Sequence, residues 1–236
     1  MPEDRKLNYR LLEDNEEYRV IDKAPGVNLH RNQHALSLVD VLHRDFPGGA
    51  FHLVHRLDDA TSGLMLIAKS PSAAAEFGDL FANREVEKFY FALAQGKPMK
   101  KQGMIVGDIK KSRSGSYLLS RTRSNPSVTQ FFSYALENGR RAYLLKPYTG
   151  KTHQLRVVMK SLGVPIIGDK RYGPSNQDAD RMYLHALALR FTFRGVERQY
   201  ICPPQVGEGF VDGALQAVLL NCTPPWEIKW PALGAP

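Results

Sequence analysis

Cysteine is scarce in this chain. Cys202 and Cys222 are the only two among 236 residues, they lie far apart, and neither belongs to a C-x-x-C pair. That spacing signals neither a disulfide framework nor a zinc site. Long apolar runs are missing as well: nothing approaches the roughly 18 consecutive apolar residues that a membrane-spanning helix needs. The opening Met1-Pro2-Glu3-Asp4-Arg5-Lys6 lacks the apolar core of a secretory leader, so a cytoplasmic location without membrane contact is expected. No internal repeat, low-complexity tract or clear linker interrupts the chain, and a single domain over residues 1–236 is the expectation. Hydrophobic residues at 43% and charged residues at 24% match an ordinary globular protein.

Acid is also in short supply. Lysine and arginine number 32 against 24 aspartates and glutamates, a formal net charge of +8. The excess is concentrated. Residues 97–123 carry Lys97, Lys100, Lys101, Lys110, Lys111, Arg113, Arg121 and Arg123 against Asp108 alone, and residues 140–160 hold six more bases and no acid. Such clustering is the footprint of a phosphate-backbone binder, although two solvated basic faces would look the same.

The local pattern alternates strands and helices, with strands in the majority. Glu17–Ile21 reads as a strand closed by the turn Lys23-Ala24-Pro25-Gly26. Ser37 with Asp40 forms a capping box, and Leu38, Val39, Leu42 and Phe46 follow at helical spacing until Pro47-Gly48-Gly49. Phe51–Leu57 and Gly63–Ala68 look like strands joined by the polar link Asp58-Asp59-Ala60-Thr61-Ser62. Ser70-Pro71 starts a helix whose stripe is Ala74, Phe77, Leu80 and Phe81. Val86–Ala94, Val128–Leu136 and Ala142–Tyr148 read as strands. The basic stretch between them suggests exposed hairpins or loops. Leu155, Val158, Met159 and Leu162 mark a further helix capped by Gly163, and 182–193 fits helix or strand equally. These elements predict an α+β fold built on a mainly antiparallel mixed sheet flanked by helices.

Strand periodicity over 51–57 would put Arg56 and Asp58 on one face, a cation beside a carboxylate. An Asp in such a link also commonly caps a turn. The segment His55-Arg56-Leu57-Asp58, followed by Thr61-Ser62-Gly63, resembles the H-R-L-D-x-x-T-S-G signature of the RluA-like pseudouridine synthases. Four further segments resemble that family in order from about residue 17 to 190. They are the opening strand and turn Val20–Val27, the strand Lys88-Phe89-Tyr90-Phe91-Ala92-Leu93, the segment Gly150-Lys151-Thr152-His153-Gln154-Leu155-Arg156-Val157, and its continuation Pro165–Gly173. Two departures are evident: Ala24 splits the lysine-proline pair of the opening turn, and Val158 replaces a common histidine.

The resemblance implies a pseudouridine synthase fold, a chain acting as a monomer without an obligatory protein partner, and isomerisation of uridine in structured ribosomal or transfer RNA. It implies no cofactor and no metal. Asp58 would be the carboxylate that starts the reaction, by adding to the base or by assisting its loss from C1′. Arg156 would pair with it, being always protonated and able to form two parallel hydrogen bonds. Tyr90 would pack on the target base and is a candidate for taking the C5 proton, although a phenol is a poor base at neutral pH. Without the resemblance, Tyr90 reads as core and Arg156 as a surface residue on an amphipathic helix. Arg56 would enter the space left by the extruded nucleotide. Thr61, Lys151, His153 and Leu155 would contact substrate, with Lys110 and Lys111 supplying further RNA contacts. The small S4 RNA-binding domain of some relatives is not expected here. Rival readings are a catalytically idle RNA-binding module that keeps the fold, and an N-glycosidase using the same carboxylate.

Two other motifs fail. Gly150-Lys151-Thr152 echoes the end of a Walker loop, but Leu145 stands where that loop needs glycine. His30 and His34 share an i, i+4 spacing without acidic or cysteine partners in a recognisable pattern, so no metal is assigned.

The charge distribution makes a direct prediction. Reversing Lys110 and Lys111 to glutamate is expected to weaken RNA binding and to flatten its salt dependence, by about 0.9 in the log–log slope for each phosphate no longer neutralised. Filter binding across a salt series checks this, and an unchanged slope would place both lysines away from RNA.

Overall fold

The computed structural model describes residues 8–29, 37–175 and 178–231; His30 and His34 lie outside them. Local chemistry starts the helices where the sequence predicts. The Ser37 hydroxyl accepts from the Asp40 amide at 3.1 Å and the Asp40 carboxylate accepts from the Ser37 amide at 3.0 Å, opening α1 (Leu38–Asp45). Its buried face is Leu38, Val41 and Leu42, while Val39 is only half-buried. The Ser70 hydroxyl accepts from the Ala73 amide at 3.1 Å, and Pro71 begins α2 (Pro71–Ala82). Two more helices follow, α3 (Gln154–Ser161) and α4 (Gly213–Asn221).

Eleven strands are described: β1 (Tyr9–Asp14), β2 (Tyr18–Lys23), β3 (His52–Leu53), β4 (Ser62–Ala68), β5 (Glu87–Gln95), β6 (Gln102–Lys111), β7 (Tyr117–Ser120), β8 (Ser127–Ala135), β9 (Arg140–Pro147), β10 (Leu184–Phe193) and β11 (Val196–Ile201). They lie in the order β1-β2-β4-β10-β5-β9-β8-β6-β7, with β11 beside β10 and β3 beside β4. All described pairings are antiparallel except β4 with β10, which runs parallel over Ser62/His185 and Gly63/Ala186. The mixed, mainly antiparallel sheet is as expected. The ambiguous 182–193 segment is strand, and the basic 97–123 segment holds the long β6–β7 hairpin at the sheet edge.

One expected strand is much shorter than its sequence suggests. Of 51–57 only His52 and Leu53 pair with β4, because the His55 ring nitrogen Nε2 accepts the Leu66 amide at 2.8 Å and takes a donor that a longer ladder would use. The chain then leaves the sheet. Arg56 and Asp58 are therefore not set on one face by strand alternation; both lie on the loop that leads from β3 into β4.

The core divides into two clusters. One joins Phe89, Phe91, Phe131 and Leu145 to α3 and α4; the other joins Tyr18, Val20, Leu64 and Leu66 to α1, α2 and the far half of β10. They meet along β4 and β10, and Tyr90 packs against both. The junction demands glycine at one position. Gly63 has φ +112°, and a Cβ there would lie 2.4 Å from the Ala186 carbonyl oxygen. Beside it the His185 ring is fully committed: Nε2 donates to the Cys202 carbonyl at 2.7 Å, and Nδ1 accepts from the Ser62 hydroxyl at 2.7 Å.

Gly63→Ala is expected to destabilise the fold by about 2–5 kcal/mol in urea unfolding, since it combines backbone strain with overlap against main chain. Acid should weaken the same junction. Burial depresses His185 to about 4, whereas an unfolded histidine takes up a proton near pH 6.5. Its stabilisation is thus complete above about 6.5 and is lost as pH falls toward 4, amounting to about 2 kcal/mol between pH 7 and 5. His185→Gln should flatten that part of the stability–pH curve.

Candidate active site

The loop between β3 and β4 is anchored before it offers anything to solvent. The Thr61 amide donates to the Asp58 carbonyl at 2.9 Å, closing a tight turn. The Asp59 carbonyl accepts from the Gly26 amide at 2.8 Å and from the Lys23 ammonium at 2.9 Å. Lys23 ends β2 opposite Gly63, is wholly buried, and also donates to the Ala24 and Val27 carbonyls at 3.0 Å each. Burial lowers it to about 7. The turn of the opening segment and the Asp58 loop are thereby held as one unit.

Across the seam, α3 supplies the partner. Asp58 Oδ2 accepts from Arg156 Nη1 at 3.0 Å. The remaining edge of the guanidinium is clamped by Asp169, which accepts from Nε at 2.8 Å and from Nη2 at 2.8 Å. The Asp169 side chain is completely buried and also accepts the Arg171 and Tyr172 amides at 3.0 and 3.1 Å. Burial works against the charge on both residues, but their mutual hydrogen bonds and attraction prevail: Arg156 is raised, with Asp58 contributing, and Asp169 is lowered. Asp169 is the site residue that sequence reasoning missed. Its signal was the Gly168-Asp169 pair inside a matched segment, where a Cβ on Gly168 would lie 1.9 Å from the Arg181 carbonyl oxygen.

These groups border a cleft of about 490 Å³. Asp58, Tyr90, Arg156, Arg56, Thr61, Lys151, His153 and Leu155 all line it. Lys110 and Lys111 do not; they are exposed on the β6–β7 hairpin. Asp58 and Arg156, with Arg56 and His153, also border a second cavity of about 1030 Å³, so the ion pair stands where the two spaces adjoin. Arg56 is exposed at the rim, and no described carboxylate pairs with it.

The Tyr90 hydroxyl is raised well above its ordinary value, by burial first and then by the negative charge of Asp58. It therefore stays a neutral phenol, suited to stacking and unsuited to accepting a proton in this resting arrangement. His153 sits at the start of α3 with φ 54°, and its Nδ1 lies 2.9 Å from the Tyr172 hydroxyl. Burial lowers its pKa, which leaves it neutral at pH 7. It can meet a substrate oxygen or hydroxyl by hydrogen bonding; as a cation it contributes little. Lys151 Nζ donates to Asn125 Oδ1 at 2.7 Å, and its amide donates to Gln154 Oε1 at 3.0 Å.

The lone acid of the basic segment is also accounted for. Asp108 accepts from the Thr122 hydroxyl at 2.6 Å and from the Ser124 and Asn125 amides, the hydroxyl bond first among the causes that lower it. It braces a loop, with the Lys110 charge a lesser contributor to the same lowering.

One described group has metal-like composition: Asp22, His185 and Cys202, whose ligand atoms lie within 4.8 Å of one another. Both His185 nitrogens are engaged, and Arg10 donates to Asp22 at 3.3 Å and to the Cys202 sulfur at 3.4 Å. Its chemistry is that of a satisfied core network. Among the described residues no helix is long and apolar enough to cross a membrane.

Comparison with known proteins agrees with this geometry. The family described as RNA pseudouridylate synthase matches residues 17–161. An RNA pseudouridine synthase of Haemophilus influenzae is 40% identical over 205 residues, which cover 87% of this chain and 92% of that protein. A ribosomal large subunit pseudouridine synthase C of Vibrio parahaemolyticus is 32% identical over 197 residues, covering 79% of this chain and 62% of the longer relative. Among solved structures, human RNA pseudouridylate synthase domain containing 1 superposes with a TM-score of 0.73 at 26% identity, covering 95% of this chain and 97% of that one. With the family matched over more than half its length and a relative aligned almost end to end, this chain belongs to the RluA-like family of RNA pseudouridine synthases, which are isomerases.

Proposed function

We propose that the protein isomerises uridine within structured RNA, ribosomal or transfer, with Asp58 as the essential carboxylate acting on a nucleotide flipped into the cleft. The observation that carries this reading is the Asp58–Arg156 pair, held at 3.0 Å between two cavities and faced by Tyr90. Relatives named for the ribosomal large subunit make ribosomal RNA the first substrate to test.

Isomerisation moves the attachment of the base without net change in composition. The bond from N1 to C1′ breaks, a bond from C5 to C1′ forms, C5 loses its proton and N1 ends with one. Asp58 starts this as an anion, either adding to the base or assisting its departure. Arg156 is shared between two carboxylates, so it orients Asp58 without cancelling the whole negative charge of the cluster. Tyr90 offers the face on which uracil rests, Leu155 and Thr61 close the pocket around it, and Lys151 and His153 meet phosphate or ribose. Reaching a uridine inside folded RNA costs a few kcal/mol of unstacking. Arg56, exposed and without a described acidic partner, is placed to enter the gap and stack between bases while bonding phosphate. The chain acts as a monomer in the cytoplasm and uses no cofactor.

Asp58→Asn and Asp58→Ala are expected to lower tritium release from RNA labelled at C5 of uridine by about 10³-fold or more, with RNA affinity and fold largely retained because Asp169 still holds Arg156. Turnover at the wild-type rate in either variant would remove Asp58 from this role. Wild-type protein that binds RNA but releases no tritium from any cellular RNA would favour the idle module, and free uracil among the products would favour an N-glycosidase.

A further inference from the structure

Lys88 stands in the same cleft with no part in the chemistry above. It precedes Tyr90 by two residues on β5, so the two side chains leave the same face of the strand about 7 Å apart. The residue is only 9% exposed, yet it lines the cleft together with His55, Phe81 and Arg84. Its described hydrogen bond is long, 3.4 Å to the Val86 carbonyl, and its ammonium lies 5.6 Å from the centre of the Phe81 ring.

Two other buried lysines show how this fold satisfies an ammonium for purely structural ends. Lys23 donates to three carbonyls at 2.9 to 3.0 Å. Lys146 pairs with Glu87 at 2.6 Å. Lys88 has neither arrangement. The acid next to it in sequence, Glu87, is occupied by Lys146 and by Arg190, each at 2.6 Å. The groups facing Lys88 are neutral or positive: His55, stacked on Phe81 and held uncharged, and Arg84 after α2. Lys151, His153 and the Asp58–Arg156 pair also border the cleft. An ammonium buried without a counter-charge is unfavourable, and an anion that enters the cleft would supply the missing partner. Uracil is neutral; the only full negative charges on a flipped uridine are its flanking phosphates.

We propose that Lys88 is a phosphate-binding residue for the target nucleotide, its Nζ donating to a phosphodiester oxygen beside the flipped uridine while the base rests on Tyr90. The inference rests on the reading of this cleft as the uridine pocket. Burial, with the Arg84 charge adding to it, lowers Lys88 to about 8. A depressed base is charged below that value, so the interaction is available at pH 7 and fades as pH rises past about 8.

The test is steady-state tritium release from RNA labelled at C5 of uridine, measured for wild type, Lys88→Met and Lys88→Arg from about pH 6.5 to about pH 9.5 and over a salt series. Methionine preserves the buried stem, so the fold is kept. Lys88→Met is expected to raise KM about tenfold, to leave kcat within about threefold, and to reduce the slope of log KM on log salt by about 0.7 to 0.9, the value of one neutralised phosphate. Wild-type KM should climb above about pH 8, and Lys88→Arg should remove that climb because arginine keeps its proton. A wild-type KM and salt slope in Lys88→Met would overturn the assignment while leaving the enzymatic reading intact. So would a raised KM with an unchanged slope, which marks a neutral contact, or an effect confined to kcat, which marks packing behind Tyr90. Absence of tritium release by the wild type would instead overturn the enzymatic reading, and this assignment with it.

Discussion

The geometry of the cleft depends on one guanidinium whose three nitrogens are divided between two carboxylates. Arg156 uses Nε and Nη2 on Asp169 and Nη1 on Asp58, so its plane is set by the buried partner and its free edge is presented to the partner in the cleft. Lysine could not replace it, since a point charge on a flexible stem has no fixed fork. The arrangement also explains why the cation stays within a largely buried site. Removing Arg156 would leave Asp169 buried and uncompensated, a costly state, whereas removing Asp58 leaves the Arg156–Asp169 clamp complete.

That clamp joins halves that the sheet alone would hold loosely. Asp58 precedes β4 and belongs with the cluster around α1 and α2; Arg156 belongs to α3 and the other cluster. The sheet connects them through a parallel pairing of two residue pairs at Ser62 and Gly63. Gly63 permits main chain to approach main chain there, Lys23 ties the Asp58 loop to the end of β2, and Tyr90 packs against both clusters. A cleft at such a seam needs no separate scaffold, because its walls are the edges of two packed cores.

Charge outside the cleft follows a consistent logic. The lone acid of the basic segment, Asp108, is hydrogen-bonded to Thr122 and two amides and feels the Lys110 charge only as a lesser contribution, so the hairpin keeps a large excess of positive charge. Inside the cleft the acids are accounted for by Arg156, and Lys88 is left as a buried cation with no described acid beside it. Excess positive charge thus occurs both where an RNA backbone would approach and where a single nucleotide would enter.

Much of this was legible in sequence because it rests on local chemistry. Helix starts at Ser37 and Ser70, the stripe of α3, the majority of strands and the mainly antiparallel sheet follow from capping, periodicity and propensity, which act within a few residues. The motif around Asp58 and the segment around Arg156 were readable as a family resemblance. Their pairing was implied by that resemblance and by nothing in local pattern: 98 positions separate the two side chains, and packing of the two clusters brings them to 3.0 Å. Segment 51–57 looked like a strand because its residues favour extended structure, yet a ring nitrogen on His55 took the Leu66 amide and ended the ladder, a competition invisible to pattern. Asp169 and Lys88 were hidden for the same reason. The sequence by itself determined which side chains carry charge and which segments form strands and helices. Only the tertiary structure decided which charges are matched, because burial and partnership are properties of contacts between residues distant along the chain.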